Sequence, residues 1–138
     1  MIKHTLVGYD GSESSRRCFR FALDIARATG GRVRVVSVLQ VTEGGPEACA
    51  MMMTDKGKQH TSELREQLTA LAPEDTGRFD LEVVYGSPGD VLLAQVLDHD
   101  IDHIVIGHTE RGALLRWLLG SVSSDIIERA HVPVTVVR

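Results

Sequence analysis

Five short runs of aliphatic, mostly β-branched residues punctuate this chain. Between them the apolar residues recur at spacings of three and four. The runs are Ile2–Gly8, Val33–Leu39, Phe79–Val84, Ile101–Ile106 and Val134–Val137, and each reads as a strand. Cys18, Phe19, Ala22, Ile25 and Ala26 mark one amphipathic helix, and Leu64, Leu68 and Leu71 a second. Val91, Leu92, Ala94, Gln95 and Val96 mark a third, and Val122, Ile126, Ile127 and Ala130 a fourth. The punctuation agrees with this reading. Asp10–Ser14 offers helix N-caps, Gly30-Gly31 stops the first helix, Pro73 closes the second, Pro88 suits a first turn, and Pro133 follows the last. Thr42–Asp55, with Met51, Met52 and Met53, has no clear period and reads as a loop. Strands that alternate with helices pair in parallel through right-handed crossovers. The expected fold is therefore an α/β doubly wound five-stranded parallel sheet, strand order 3-2-1-4-5, with helices on both faces.

Composition narrows the function. At 138 residues with 43% hydrophobic content, the chain suits one α/β domain over residues 1–138 with a single real core. A net charge of −4 with scattered basic residues argues against nucleic acid as a partner. No apolar run approaches the roughly 18–20 residues of a membrane span. The N-terminus enters a strand directly, so no signal peptide is expected. Cys18 and Cys49 are too few for a disulfide framework, which predicts a reduced, cytoplasmic setting.

Open α/β sheets take ligands at the carboxyl ends of their strands, where the winding reverses. In a 3-2-1-4-5 order the loops after the first and fourth strands face each other there. The first is Tyr9-Asp10-Gly11-Ser12, and the second is the stretch GHTERGALLRWLLGS, Gly107 to Ser121. Gly107 and Gly112 have P-loop spacing, but Ala113-Leu114 stands where that motif needs Lys and Ser or Thr. A Rossmann G-x-G-x-x-G is absent as well. What remains is a glycine ending a strand and, thirteen residues on, Gly120-Ser121 opening a helix. Gly120 lets a backbone approach an anion because it carries no Cβ. Ser121, read as the helix N-cap, adds a hydroxyl where unpaired N–H groups and the helix dipole favour negative charge.

The register G107-x2-E110-x9-G120-S121 resembles the G-x2-G-x9-G-(S/T) motif of the universal stress protein family, in its nucleotide-binding branch. The likeness runs through LVGYDGSESS, GSPGDVLLAQV, DHIVIGHTERG and LLGSVSSDIIERAHVPVTVVR. It implies an adenine nucleotide, ATP or AMP, with magnesium as its counter-ion. It also implies phosphates on Gly107, Thr109, Gly120, Ser121, Val122 and Ser123, Asp10 beside the adenosine, and Val38 and Ile106 flanking the base. Glu110 departs from the motif glycine. A carboxylate ~6 Å from a phosphate charge costs roughly 3 kcal/mol at an effective dielectric of ~20, or about a hundredfold in affinity.

The resemblance thus implies a non-enzymatic stress sensor or regulator. With no lysine clamp or arginine finger in register, any ATP hydrolysis is expected to be slow. The alternative is a nucleotide-independent stress protein that acts through protein contacts, a reading that Glu110 favours. The uncharged run Val134–Val137, before Arg138, predicts an apolar edge strand. By resemblance, segment Val134–Arg138 pairs two copies into a homodimer. His99 and His103 do not form a metal pair, because a helix ends and a strand begins between them. Cys18, on a buried helix face, is expected to be inert, and Trp117 to anchor the loop's apolar run.

Overall fold

The computed structural model describes residues 1–39, 55–107 and 120–138. Its strands are β1 (His4–Gly8), β2 (Arg32–Leu39), β3 (Phe79–Tyr85), β4 (His103–Gly107) and β5 (Val134–Val137). Its α-helices are α1 (Glu13–Thr29), α2 (Asp55–Leu71), α3 (Pro88–Asp98) and α4 (Gly120–Arg129), with a short 3-10 turn at Pro73–Asp75. The strands form one parallel sheet in the order β3-β2-β1-β4-β5, as the alternation of elements requires.

Strand periodicity divides the core in two. Val7, Val33, Val35, Phe79, Leu81, Val83 and Val105 face α1 and α2, where they pack on Phe19, Ala22, Leu23, Leu64 and Leu68. Phe19 stands edge-on to Phe79, with ring centroids 5.0 Å apart. Leu6, Val36, Val38, Ile104 and Ile106 face the other way, onto Leu92 of α3 and Ile126 of α4. Burial of each large aliphatic or aromatic side chain contributes about 1.5–3 kcal/mol, so the two clusters hold the helices against both faces.

The amino ends of the strands are tied by polar side chains. Asp102 accepts hydrogen bonds from the backbone N–H of Lys3 (2.9 Å) and of His4 (3.0 Å). Two strand boundaries differ from the expected ones. Lys3 N–H and His4 N–H both go to this carboxylate, while the Lys3 carbonyl accepts from Arg32 N–H at 2.9 Å, and β1 begins at His4 rather than Ile2. Asp100 adopts a left-handed φ of 52°, so Ile101 and Asp102 complete a turn and β4 begins at His103. Arg27, at the end of α1, pairs with Asp75, which also meets Arg78 at 3.3 Å. Arg34 is buried on β2. Its Nε donates to Gln95 of α3 (2.6 Å), and its Nη atoms reach Asp80 (2.9 Å) and Glu82 of β3.

The third polar ladder runs across the sheet. His103 Nδ1 lies 3.2 Å from Thr5 Oγ1 and its Nε2 lies 2.8 Å from Thr135 Oγ1, linking β1, β4 and β5 beneath α1. Burial lowers the His103 imidazole below its ordinary pKa, partly offset by the Asp102 charge. His103 and Asp102 thus direct their polar atoms into the fold.

Candidate functional site

The strand order reverses between β1 and β4, the place at which open α/β sheets take their ligands. On the β1 side the ladder continues one residue beyond the strand, with Tyr9 N–H donating to the Val36 carbonyl at 2.9 Å. Asp10 comes next. Its Oδ1 accepts from the Ser12 N–H (2.9 Å) and from the Ser15 hydroxyl (3.0 Å). Ser12 in turn caps α1, its Oγ accepting from the Ser15 N–H at 3.2 Å. Gly11 makes the turn with a φ of 84°, a left-handed value that glycine adopts without strain. Sequence and geometry agree here: D-G-S supplies a turn, a glycine at the left-handed position and an N-cap in three residues.

Asp10 Oδ2 is different. It is closed off from solvent and has no hydrogen-bond partner among the described residues. Leaving a buried acceptor unpaired costs about 1–3 kcal/mol, and more for a charged group. Ser14 Oγ, at the second residue of α1, is in the same condition. Both oxygens belong to the segment that borders the reversal.

On the β4 side, Gly107 has a packing role that glycine alone satisfies. A Cβ there would collide with Ser14 Oγ and stand 3.2 Å from Cys18 Sγ. The end of β4 therefore presses against the first turns of α1, and its backbone is held beside the Asp10 loop. Cys18 is buried beneath, and burial pushes its thiol up to about 12, so at neutral pH it is a packed, unreactive group.

Between the two loops, β1 presents Gly8 on the face shared by Val38 and Ile106. Gly8 lies opposite Val36 of β2, and Val38 and Ile106 stand at the carboxyl ends of β2 and β4 on that face. Both are nearly fully buried, at 3% and 2% exposed, within the second core cluster.

The last wall is α4. Gly120, Ser121, Val122 and Ser123 form its first turn. The helix runs from Gly120, so Ser121 falls within its first turn, where the sequence reading set it at the N-cap. Glycine can open the helix because the N–H groups of the first turn have no partner within it. A helix N-terminus of this kind favours negative charge through its N–H groups and its dipole. The helix is fixed by Arg129, whose Nη1 donates to Asp90 and to Asp125, each at 2.9 Å. Gly89 of α3 adds to this, since a Cβ there would strike the Asp125 carboxylate.

Of the expected site residues, Asp10, Val38, Ile106, Gly107 and the first turn of α4 lie around the carboxyl end of the sheet. Thr109 lies outside the described residues, as do Cys49, Met51–Met53, His108, Glu110, Gly112 and Trp117. Sequence reasoning missed Ser15, Ser14 and Gly8. The run S-E-S-S announces a helix cap, but which serine turns inward depends on how α1 sits on the sheet.

The model of the universal stress protein family matches residues 1–138. A universal stress protein of Thermus aquaticus is 30% identical over 140 residues, covering all of this chain and all of its own length. Universal stress protein UspA from Lactobacillus plantarum superposes with a TM-score of 0.79 at 21% identity, covering 99% of this chain and 98% of that one. The universal stress protein from Archaeoglobus fulgidus in complex with dAMP superposes with a TM-score of 0.69 at 25% identity, covering 100% of each chain.

Proposed function

The chain belongs to the universal stress protein family, and we propose that it binds an adenine nucleotide, ATP or AMP, as a stress-response sensor or regulator. The observation that carries this reading is the convergence, at one sheet reversal, of the Asp10 loop, the Gly107 strand end and the first turn of α4. Each supplies a different part of a mononucleotide's chemistry. The carboxylate of Asp10 accepts from the adenosine. Val38 and Ile106 flank the flat base. Phosphates settle on the backbone of Gly107, Thr109 and Gly120 and on Ser121, Val122 and Ser123, with magnesium offsetting their charge. The complex of the Archaeoglobus fulgidus relative with dAMP supports an adenine nucleotide as the ligand class.

The same reading makes the chain a regulator rather than an enzyme. The glycine loop lacks the lysine that clamps phosphates in a P-loop, so bound ATP turns over slowly. Binding then acts on partner choice or on the dimer surface. β5 is the edge of the sheet and Val136 is 39% exposed on it, which supports a homodimer through Val134–Arg138. No helix among the described residues is long and apolar enough to cross a membrane, and the cytoplasm is the compartment proposed for this role.

A thermal-shift series with ATP, AMP, GTP and magnesium tests the binding. A ligand at about a hundredfold excess over its Kd stabilises by about 2.7 kcal/mol. A rise with adenine nucleotides supports the reading. No rise with any nucleotide transfers support to the alternative, a nucleotide-independent dimer, which the carboxylate of Glu110 in the motif favours. Glu110→Gly should then tighten ATP binding by up to about a hundredfold. Val136→Lys should turn the dimer into a monomer in light scattering.

A further inference from the structure

We propose that Ser15 is the positioning residue that aims Asp10 at the nucleoside, an inference that rests on the nucleotide-binding reading above. Ser15 is fully buried in the first turn of α1. Its single hydroxyl proton is shared between Asp10 Oδ1 at 3.0 Å and the Ser12 carbonyl at 2.9 Å, and its oxygen stands 3.4 Å from the Asp10 backbone nitrogen. Together with the Ser12 N–H it occupies one carboxylate oxygen and leaves the other, Oδ2, unpartnered among the described residues.

This division has a chemical consequence. A carboxylate free to rotate exchanges its two oxygens and offers neither in a fixed direction. With Oδ1 held from two sides, the rotamer is set, and Oδ2 is an acceptor of fixed position. An ionised carboxylate only accepts. The group it recognises is therefore a donor, and a nucleoside carries two kinds: the ribose hydroxyls and the amino group of the base. A phosphate is repelled there, so the same lock orients the nucleotide with its nucleoside toward Asp10 and its phosphates toward α4. Because the restraint comes from within α1 and its cap, the acceptor is oriented before the ligand arrives, and less freedom is lost on binding.

The test is calorimetry with AMP on the full chain and on Ser15→Ala, Asp10→Ala and the double variant. Alanine suits the first turn of a helix, and thermal melts verify that each variant folds. Ser15→Ala should weaken AMP binding about tenfold or more, the scale of a hydrogen bond to a charged group. In the Asp10→Ala background the same change should alter affinity less than twofold, because Ser15 acts through Asp10. A purely structural serine would cost the same in both backgrounds, and that result overturns the proposal, as does an unchanged affinity for Ser15→Ala alone. Two analogues identify the donor: 2′,3′-dideoxy-AMP lacks the hydroxyls and inosine monophosphate lacks the amino group. The effect of Ser15→Ala should vanish with one of them, and its persistence with both overturns the proposal. Asp10→Asn, nearly isosteric, is the second variant and should lose as much affinity as Asp10→Ala. If the unmodified chain binds no AMP, the nucleotide reading itself fails, a result distinct from failure of the Ser15 variants alone.

Discussion

The two ends of the sheet treat their polar groups in opposite ways. At the amino end, Asp102 takes two backbone N–H groups, Asp75 is gripped by Arg27 and Arg78, and His4 Nδ1 meets the His99 carbonyl at 3.0 Å. At the carboxyl end, the first turn of α4 leaves its N–H groups without helical partners, and Asp10 Oδ2 and Ser14 Oγ are buried without a partner among the described residues. A chain under selection for stability alone would pair both ends. The contrast teaches that the amino end satisfies its polar groups within the fold, while the carboxyl end leaves two buried oxygens unpaired among the described residues. Surrounding structure sustains such local costs at functional sites.

The largest expected effect joins the two roles. Gly107→Val places branched carbons against Ser14 and Cys18. Overpacking of this kind costs about 1–3 kcal/mol, and the displaced loop should lose nucleotide binding as well. Urea denaturation and an AMP titration would report both.

Next comes a change at the amino end that should leave the carboxyl end untouched. Asp102→Ala removes a charged acceptor from two N–H groups and should lower stability by about 2 kcal/mol, with AMP affinity unchanged. Burial opposes ionisation of Asp102, but the N–H groups of His4 and Lys3 outweigh it and hold the carboxyl below its ordinary 3.8. Its stabilisation is therefore complete above that value and is lost as the pH falls through the lower, folded one. A loss of AMP affinity in Asp102→Ala would break the division of labour between the ends.

A smaller effect sharpens the comparison by pH. Burial keeps His103 below its ordinary 6.5, so the unfolded chain takes up the proton first on acidification. Stability should hold above about 6.5 and then fall by at most ~1.4 kcal/mol per pH unit until the folded protein protonates too. His103→Gln, which retains a polar partner for Thr135, should flatten that limb in melts recorded from pH 7 to 5.

The smallest stability change belongs to the carboxyl end. The bonds of Asp10 Oδ1 are to near neighbours in sequence, so Asp10→Ala should cost less than ~1 kcal/mol of stability while weakening AMP about tenfold or more. A large stability loss there would mean that Asp10 is scaffold after all.

Much of this was legible in the order of residues. Period-two and period-3.6 patterns name the faces of strands and helices, so the sheet, its order and the position of Asp10, Gly107 and Ser121 near one sheet reversal follow from the chain alone. The boundaries of β1 and β4 did not follow; the amino end of β1 is shared between a carboxylate ninety-eight positions from His4 and the ladder to β2, and no local pattern encodes that partition. Glycine at 107 was readable as a loop residue. That α1 presses on it through Ser14 and Cys18 was not, since no local pattern encodes which two surfaces meet.

The amino-acid sequence by itself determined the βα alternation, the family and the loops that flank the sheet reversal, because these depend on local periodicity and short-range spacing. Only the tertiary structure decided which oxygen of Asp10 is left without a partner, which serine turns inward to hold the other, and which polar groups at the opposite end are satisfied. Those outcomes depend on distances between segments far apart in the chain, and such distances exist only once the helices have packed on the sheet.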